Sequence, residues 1–399
     1  MVENLDIQKP RTVDVGAIDR ELRRMWKEAA SDKAHSVVRA RILNLVVFTP
    51  EAQAAGAADV AAEIAVHHPS RGIIVGIDPA APDVMTAEVS ARCHLSFARR
   101  QQVCSEQVLI GAGGKAVDEV HGVVLPLLTS DLPTFLWWRG PGWPESRSFK
   151  TLAAGSDRVV LDSSVFVTGA SDLARLENLV HEYTKAVADE HSIADLNWAR
   201  LMPWRVALAG LYDVQHYRER LGHLNRVTLR YPATAEKRQK PGALGPFLLA
   251  GWLAGRLGWK NPRLAESAPK SRDGDGIFFD LESPSGNLQL LLIPSSVAAP
   301  AAVSSIELDN SFSCGGVCRI DLNCQSERET TFTVEIRESC IETRAVVDGQ
   351  TLAARRVSCV ARAEADLVSE EMDYLGRDSV YEQAVATAVL ISQSVSWGS

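Results

Sequence analysis

The sequence has 399 residues, of which 46% are hydrophobic and 23% are charged, and its formal net charge is −8 at pH 7. This length predicts two domains, since a domain averages roughly 150 residues. The acidic balance argues against a nucleic-acid-binding protein, because that function needs clustered lysine and arginine to replace phosphate counterions.

The start of the sequence, MVENLDIQKPRTVDVG, lacks the basic and apolar regions of a signal peptide. The longest apolar stretch, residues 243–255, is too short to span a bilayer and contains Pro246. We therefore expect a cytoplasmic protein with no membrane partner. The seven cysteines are an odd number at irregular spacing, which predicts reduced thiols and no structural disulfide framework.

The first half of the chain alternates predicted helices with short apolar strands, the order that is typical of an α/β domain. Helices are predicted at 15–29, from the alanine-rich stretch to residue 66, and at 116–128, 148–156 and 171–217. Strands are predicted at 40–50, 71–78, 133–140 and 158–164, and a hairpin at 85–97 and 101–111. We predict that residues 1–220 form an α/β domain with a mixed sheet.

The second half begins with a predicted strand at 223–233, a polar loop at 234–242 and a helix at 243–257. Several short strands separated by turn residues follow, among them SSIELDN at 304–310, and two helices end the chain. This order predicts an α+β domain over residues 221–399 with a largely antiparallel sheet.

The segment IGAGGKA places Gly111, Gly113 and Ala116 in a relaxed dinucleotide-binding pattern. The acidic residue that should hold the ribose follows the next strand in such proteins. Here Asp131 precedes that strand, so a plain turn is the favoured interpretation and no cofactor is predicted.

Two other segments contain candidate site residues. In HHPSR, Ser70 and Arg71 form a candidate anion site beside His67 and His68, against the alternative of a turn at the start of the strand, fixed by Pro69. No G-x-S-x-G motif accompanies them, and no catalytic residue is predicted.

Cys314, Cys318 and Cys324 have a spacing that does not fit a zinc site, and no metal is predicted. The glycines at 315 and 316 allow a turn that would bring Cys314 and Cys318 together as a redox pair. Buried unreactive thiols are the alternative.

The most unusual segment is FLWWRG at 135–140, which is followed by PGWP with Trp143. Tryptophan and arginine dominate protein interfaces, so Trp137, Trp138 and Arg139 are candidate partner-binding residues. The alternative is a buried strand whose rings fill the core. Alternation along a strand predicts that one tryptophan faces solvent.

Several segments in order along the chain resemble the OpcA family, the glucose-6-phosphate dehydrogenase assembly proteins. They are HHPSRGIIV at 67–75, CSEQVLI at 104–110, VLPLLTSDLPTFLWWRG at 124–140, FKTLAAGSDRVVLDSS at 149–164 and LNWARLMPWR at 196–205. Near the end, Leu375, Gly376, Arg377, Asp378, Val380 and Tyr381 are similar to the C-terminal domain of the family.

The resemblance implies a non-catalytic protein that binds glucose-6-phosphate dehydrogenase and promotes its active oligomer, which supports the oxidative pentose phosphate pathway. It also implies thioredoxin as a second partner, acting through cysteines. The alternative hypothesis is an α/β enzyme or sensor that binds a sugar phosphate or nucleotide around Ser70, Arg71 and Arg139.

Overall fold

The computed structural model describes residues 3–5, 11–12, 14–31, 37–96, 101–140, 144–166, 170–186, 191–232, 244–265, 276–295, 315–325, 329–337, 340–352, 354–374 and 376–394. The predicted loop at 234–242 and the predicted strand at 304–310 lie outside these residues, as do Trp143, Cys314 and Leu375.

The strands, in chain order, are β1 (Glu3–Leu5), β2 (Arg11–Thr12), β3 (Val37–Arg39), β4 (Leu43–Pro50), β5 (Ser70–Asp78), β6 (Met85–Ser96), β7 (Gln101–Gly113), β8 (Thr134–Trp138), β9 (Arg158–Leu161), β10 (Ser192–Asp195), β11 (Leu224–Pro232), β12 (Lys260–Leu264), β13 (Ile277–Ser283), β14 (Gly286–Ser295), β15 (Arg319–Cys324), β16 (Thr330–Arg337), β17 (Cys340–Val347), β18 (Gln350–Thr351) and β19 (Arg355–Ser358).

The α-helices are α1 (Val15–Ser31), α2 (Ala54–His67), α3 (His121–Val124), α4 (Arg147–Ala153), α5 (Ala170–Ala186), α6 (Leu196–Arg200), α7 (Met202–Tyr212), α8 (Gln215–Leu221), α9 (Leu244–Leu257), α10 (Glu364–Met372) and α11 (Ser379–Gln393). Short 3₁₀ helices occur at Glu51–Gln53, Gly114–Asp118, Leu125–Leu127 and Ser163–Val165.

The chain divides into two compact units, each assembled from three segments. Unit 1 comprises Met1–Asp162, Tyr183–Ala194 and Ala363–Arg377, and unit 2 comprises Ser163–Glu182, Asp195–Arg362 and Asp378–Ser399. These units are discontinuous along the chain, whereas the predicted domains are continuous, and the boundary at residue 220 stays a prediction.

Unit 1 is built on a mixed sheet, here called sheet A, with the strand order β1-β6-β7-β5-β4-β8-β9-β10. β4, β5, β7, β8 and β9 pair in parallel, while β6 and β7 form the predicted antiparallel hairpin. When β1, β2, β3 and β6 are set aside, the six remaining strands, numbered in chain order, lie in the order 3-2-1-4-5-6, which is that of doubly wound dinucleotide-binding sheets. The predicted α/β fold with a mixed sheet is confirmed.

The central strands of sheet A are buried along nearly their whole length, as expected for parallel strands with both faces covered. Helix α2 packs beside them through a face of small residues, which lets the helix backbone approach the sheet closely. These residues are Ala54, Ala57, Ala58, Ala61, Ala62 and Ala65.

Two predicted helices were wrong in detail. The helix predicted at 116–128 is a series of short helical turns, in which Gly122 disfavours helix and Pro126 lacks an amide donor. The predicted tract at 171–217 is interrupted by strand β10, after which the side chain of Asp195 caps α6 by accepting from Asn197 N.

Unit 2 is built on a second sheet, here called sheet B, with the order β12-β13-β14-β11-β15-β16-β17-β18, and β19 pairs with β17. Among the described strands its pairings are antiparallel except for β11 with β14, so the prediction of a largely antiparallel sheet is confirmed. Helices pack on one face of this sheet: Tyr217 of α8 contacts Phe332, and Phe247 of α9 contacts Phe279.

Helices α9 and α11 lie in close contact within unit 2. A Cβ atom at Gly251 of α9 would lie 2.2 Å from the carbonyl oxygen of Ala384 in α11. Glycine at position 251 is therefore what permits the two helix backbones to approach each other.

Candidate functional site

The switch point of sheet A is the natural place to look for a site, because doubly wound sheets bind ligands at the carboxyl edge where the strand order reverses. In this sheet the reversal falls between β4 and β8, which end at Pro50 and Trp138. The amide of Arg139 donates to the carbonyl of Phe48 at 2.7 Å. The FLWWRG segment therefore ends at the switch point.

Both tryptophans of this segment are buried. Trp137 is 0% and Trp138 6% exposed. The ring of Trp138 stacks near Phe48 and meets Phe149 edge to face at 5.3 Å between centroids. The expectation that one ring faces solvent was wrong, because β8 lies inside a sheet that is covered on both faces. Their role in partner binding stays a prediction.

Arg139 lies at the same edge, and its guanidinium is paired within unit 1. Its Nε donates to both carboxylate oxygens of Glu364 in α10, at 3.0 and 2.9 Å, and its Nη1 donates to Gln53 Oε1 at 3.3 Å. The carboxylate of Glu364 thus takes the position on this arginine that an anionic ligand would use.

Glu51 follows β4 directly, at the turn where doubly wound nucleotide-binding proteins carry a glycine-rich loop. This turn reads TPEAQ and contains no glycine. Burial, and then the nearby charge of Asp78, raise the pKa of the Glu51 carboxyl above its ordinary value. A pyrophosphate at this turn would meet the Glu51 carboxylate, so the residues at the switch point do not fit a bound dinucleotide.

The glycines of IGAGGKA are explained by close packing. A Cβ atom at Gly111 would lie 2.8 Å from Thr86 Oγ1, and one at Gly113 would lie 2.3 Å from the carbonyl oxygen of Pro82. Gly114 adopts a positive φ of 52°, and the next amide, of Lys115, donates to Asp83 Oδ1 at 2.9 Å. These contacts support the interpretation of the segment as a turn.

Ser70 and Arg71 lie at the opposite edge of sheet A from Arg139, because β5 begins where the parallel strand β8 also begins. The alternative site around all three residues is therefore not formed. Arg71 donates to Glu106 Oε2 at 2.8 Å and to the carbonyl of Leu127 at 2.6 Å. An anion would compete with Glu106 for this arginine, and the anion site at Ser70 and Arg71 stays a prediction.

Glu106 is a buried carboxylate that the sequence did not single out. It is 0% exposed and also accepts hydrogen bonds from the Arg41 guanidinium and the Trp26 indole. A buried charge persists in a fold only when it is paired. The CSEQVLI segment thus supplies the carboxylate with which Arg41 and Arg71 are paired.

The neighbouring histidines occupy different environments. His68 Nε2 lies 3.7 Å from Asp373 Oδ1, while His67 is exposed at the end of α2.

Cys318 and Cys324 are free thiols in the structure. Burial raises the pKa of Cys318 to about 11 and that of Cys324 to about 12. Thiols with raised pKa values are poor nucleophiles at neutral pH, which favours the buried-thiol alternative. Because Cys318 is a free thiol, it is not bonded to Cys314, which lies outside the described residues, and thiol regulation stays a prediction.

A disulfide joins Cys93 and Cys104 within unit 1. The expectation of reduced thiols was therefore wrong for these two residues, and also for Cys359, whose sulfur is disulfide-bonded. The register of β6 and β7 places Cys93 and Cys104 directly opposite each other, with 4.0 Å between their Cα atoms. Cysteine spacing along the chain could not reveal this pairing, which depends on the hairpin register.

The LNWAR segment and residues 378–381, on which the resemblance partly rests, come together inside unit 2. Asp378 caps α11 by accepting from the amides of Val380 and Tyr381, and it also accepts from the Trp198 indole at 2.9 Å. Tyr381 donates to the buried Asp195 at 3.1 Å. These residues are far apart in sequence and form one hydrogen-bonded network that fixes α6 against α11.

Among the described residues, no group of three or more histidine, cysteine, aspartate or glutamate side chains could hold a metal ion. None of the described helices is long and apolar enough to cross a membrane. A polar cavity of about 410 Å³ lies in unit 2, lined by Asn225, Arg226, Asn323, Cys324, Gln325 and Glu329.

The solved structures with a similar chain course include an oxidoreductase from Sinorhizobium meliloti, at 10% identity and a TM-score of 0.43, covering 88% of this chain and 89% of that one. A dehydrogenase (MviM) from Clostridium difficile has 9% identity and a TM-score of 0.35, covering 69% of this chain and 94% of that one. Resemblance at this level identifies no shared activity.

Curated relatives match more closely in sequence. The OxPP cycle protein OpcA of Nostoc punctiforme is 35% identical over 206 residues, which is 51% of this chain and 41% of that protein. The OpcA protein of Synechococcus elongatus is 26% identical over 322 residues, which is 77% of this chain and 65% of that protein. The chain therefore spans less than two thirds of the length of these relatives.

Two family models cover most of the chain, and both carry the description "Glucose-6-phosphate dehydrogenase subunit". Residues 61–178 match the N-terminal domain under that description, and residues 191–385 match the C-terminal domain. The first range contains β8 and Arg139, and the second contains the Trp198 and Asp378 network. The chain belongs to the OpcA family of glucose-6-phosphate dehydrogenase assembly proteins.

Proposed function

We propose that this protein is a non-catalytic partner of glucose-6-phosphate dehydrogenase that binds the enzyme and favours its active oligomer. The observation that carries the proposal is the match of both family descriptions, each of which names a subunit of that dehydrogenase. Promotion of an active oligomer would feed the oxidative pentose phosphate pathway, the cycle for which the OpcA relatives are named.

The chemistry of the switch point supports a role without catalysis. A doubly wound sheet that transfers hydride must hold a dinucleotide at this edge. Here Glu51 lies in the turn that would bind the phosphates, and Glu364 accepts a hydrogen bond from the guanidinium of Arg139. The strand order resembles that of a dinucleotide-binding protein, whereas the turn after β4 has no glycine and the arginine at this edge is already paired with Glu364.

The test is a dehydrogenase assay that follows NADP⁺ reduction at a low concentration of the cognate enzyme. We expect that this protein alone reduces no NADP⁺ and that its addition raises the rate until it saturates. Sedimentation of the mixture should show a larger dehydrogenase assembly. A rate and a sedimentation profile that stay unchanged across the titration would overturn the proposal.

The alternative function is that of an α/β enzyme or sensor that binds a sugar phosphate or a nucleotide. The same purified protein can be used to test it. Calorimetric titration of this protein alone with glucose 6-phosphate and with NADP⁺ should give no saturable heat. Saturable binding that is lost in Arg139→Ala or Arg71→Ala would favour the sensor.

A further inference from the structure

One face of sheet B carries a regular array of arginines. The strand register aligns Arg230, Arg319, Glu335, Glu342 and Arg356 in one row across β11, β15, β16, β17 and β19. The adjacent row contains Asp321 and Arg344 on the same face. We call this surface the arginine face, and it comprises Arg226, Arg230, Arg319, Arg337, Arg344 and Arg356.

Helices of unit 2 pack on the other face of the sheet, where Phe332 contacts Tyr217. Since residues alternate between the two faces of a strand, the arginines point away from these helices. Across β11, β15, β16 and β17 the sheet therefore has one face packed on the core and one charged face, as antiparallel sheets commonly do. On β14, Leu291 and Ile293 lie on the same side as the arginines and are buried.

The three carboxylates of the arginine face lie beneath the guanidinium groups. The side chains of Asp321, Glu335 and Glu342 are 10–14% exposed, whereas the arginines paired with them are 29–71% exposed. Each carboxylate contacts at least two arginines. For example, Glu342 forms an ion pair with Arg344 at 3.3 Å and accepts from Arg356 at 3.0 Å, and Glu335 contacts Arg319, Arg337 and Arg344.

This arrangement presents positive charge to solvent. The arginine face has six arginines and three carboxylates, a formal excess of three positive charges on a chain whose net charge is −8. Strand β12 adds Lys260 and Arg263, and the neighbouring β13 places Glu282 and Asp280 opposite them, which leaves that excess unchanged.

The underlying carboxylates also hold the guanidinium groups in place. An arginine that is already fixed loses less side-chain entropy when it binds a partner, so the arginine face is preorganised for recognition. Because the arginine face has an excess of positive charge, it attracts a protein surface rich in aspartate and glutamate.

We infer that the arginine face is the surface through which this protein binds glucose-6-phosphate dehydrogenase, at a patch of that enzyme rich in carboxylates. The inference rests on the proposed function and adds the contact surface and its charge. A second copy of this chain fits the face poorly, because a symmetric contact would place the same positive patches against each other.

The test compares two double variants that change the net charge equally. Arg337→Glu with Arg356→Glu reverses two exposed charges of the arginine face, and Arg20→Glu with Arg23→Glu reverses two exposed charges on α1. We expect the first variant to bind the dehydrogenase at least about tenfold more weakly and the second to stay within about twofold of the wild type. Raising the salt from about 50 to about 300 mM should weaken wild-type binding and affect the first variant less.

Circular dichroism and thermal unfolding establish that each variant is folded. If the glutamate variant is unfolded, Arg337→Gln with Arg356→Gln removes the charges without adding repulsion, and weaker binding is again expected. A folded arginine-face variant that binds like the wild type would overturn the inference and leave the proposed function intact.

Three further outcomes would overturn the inference in different ways. Wild-type protein that does not bind the dehydrogenase would overturn both proposals. A change in the variant's own oligomeric state, measured by sedimentation, would assign the arginine face to a second copy. Salt-sensitive binding of an RNA probe that competes with the dehydrogenase would identify a polyanion site instead.

Discussion

The Nε of Arg139 donates to both carboxylate oxygens of Glu364 at the carboxyl edge of sheet A, although 225 residues separate the two in sequence. The pair joins the end of β8 to α10, which returns to unit 1 late in the chain. It gives Arg139 a structural role that must be separated from its predicted role in partner binding.

The first prediction separates these roles with a double-mutant cycle. Arg139→Ala and Glu364→Ala should each lower the free energy of unfolding, and the coupling between them should be about 1 kcal/mol, because the pair is partly buried. Urea denaturation measures the coupling. If Arg139 also contacts the dehydrogenase, Arg139→Ala should reduce activation more than Glu364→Ala at equal stability. Equal activation by the two variants would show that Arg139 acts only through its ion pair with Glu364 and does not contact the dehydrogenase.

The second prediction concerns the core beneath the switch point. Trp138→Ala should destabilise unit 1 by about 3–5 kcal/mol, because it removes a buried ring that packs on Phe48 and Phe149. Trp138→Phe should lower the free energy of unfolding by a smaller amount, since it keeps an aromatic ring. Chemical denaturation measures both variants, and a loss below about 1 kcal/mol for the alanine variant would show that the ring is not a core residue.

The third prediction is a pH dependence at Glu51. Because burial and Asp78 raise its pKa in the folded state, the folded protein binds this proton more tightly than the unfolded chain does. Stability contributed by the protonated form is therefore lost as the pH rises from the unfolded value near 4.5 through the folded pKa. Glu51→Gln should be more stable than the wild type at pH 7 and equal to it near pH 3.5.

Glu63→Gln is the matched control, since it removes one exposed carboxylate from the neighbouring helix α2. Thermal unfolding from about pH 3.5 to pH 8 gives the comparison for both variants. A stability difference for Glu51→Gln that is the same at both ends of the range would contradict the raised pKa.

The fourth prediction concerns the Cys93–Cys104 disulfide. A cross-link that closes a loop of this size should contribute about 3 kcal/mol to stability. Cys93→Ser with Cys104→Ser should lose that amount relative to the oxidised wild type and show no loss relative to the reduced wild type. Peptide mapping without reductant should recover the two cysteines in one linked peptide, and their recovery as separate free thiols would contradict the assignment.

The sequence by itself determined much of the secondary structure and the family. The helix at α1, the β4–α2–β5 unit and the β6–β7 hairpin follow from local hydrophobic periodicity, which depends on near neighbours in the chain. The segments that resemble the OpcA family are short motifs that the sequence alone reveals. The matches over residues 61–178 and 191–385 confirm the family.

The tertiary structure decided which of these residues face solvent and which are paired. Trp137 and Trp138 are both buried because β8 lies inside sheet A, and neither position can be read from alternation alone. Nothing in the sequence indicates that Glu106 pairs with Arg71 or that Glu364 pairs with Arg139. The partners in each pair lie far apart in the chain, and only the fold brings them together.

The tertiary structure also creates the arginine face. Arg230 and Arg356 lie in one row only because five strands pair in a particular register, and register joins residues that are distant in the chain. Local sequence patterns specify individual strands, whereas the charges that meet across a sheet depend on contacts between strands that no local pattern contains.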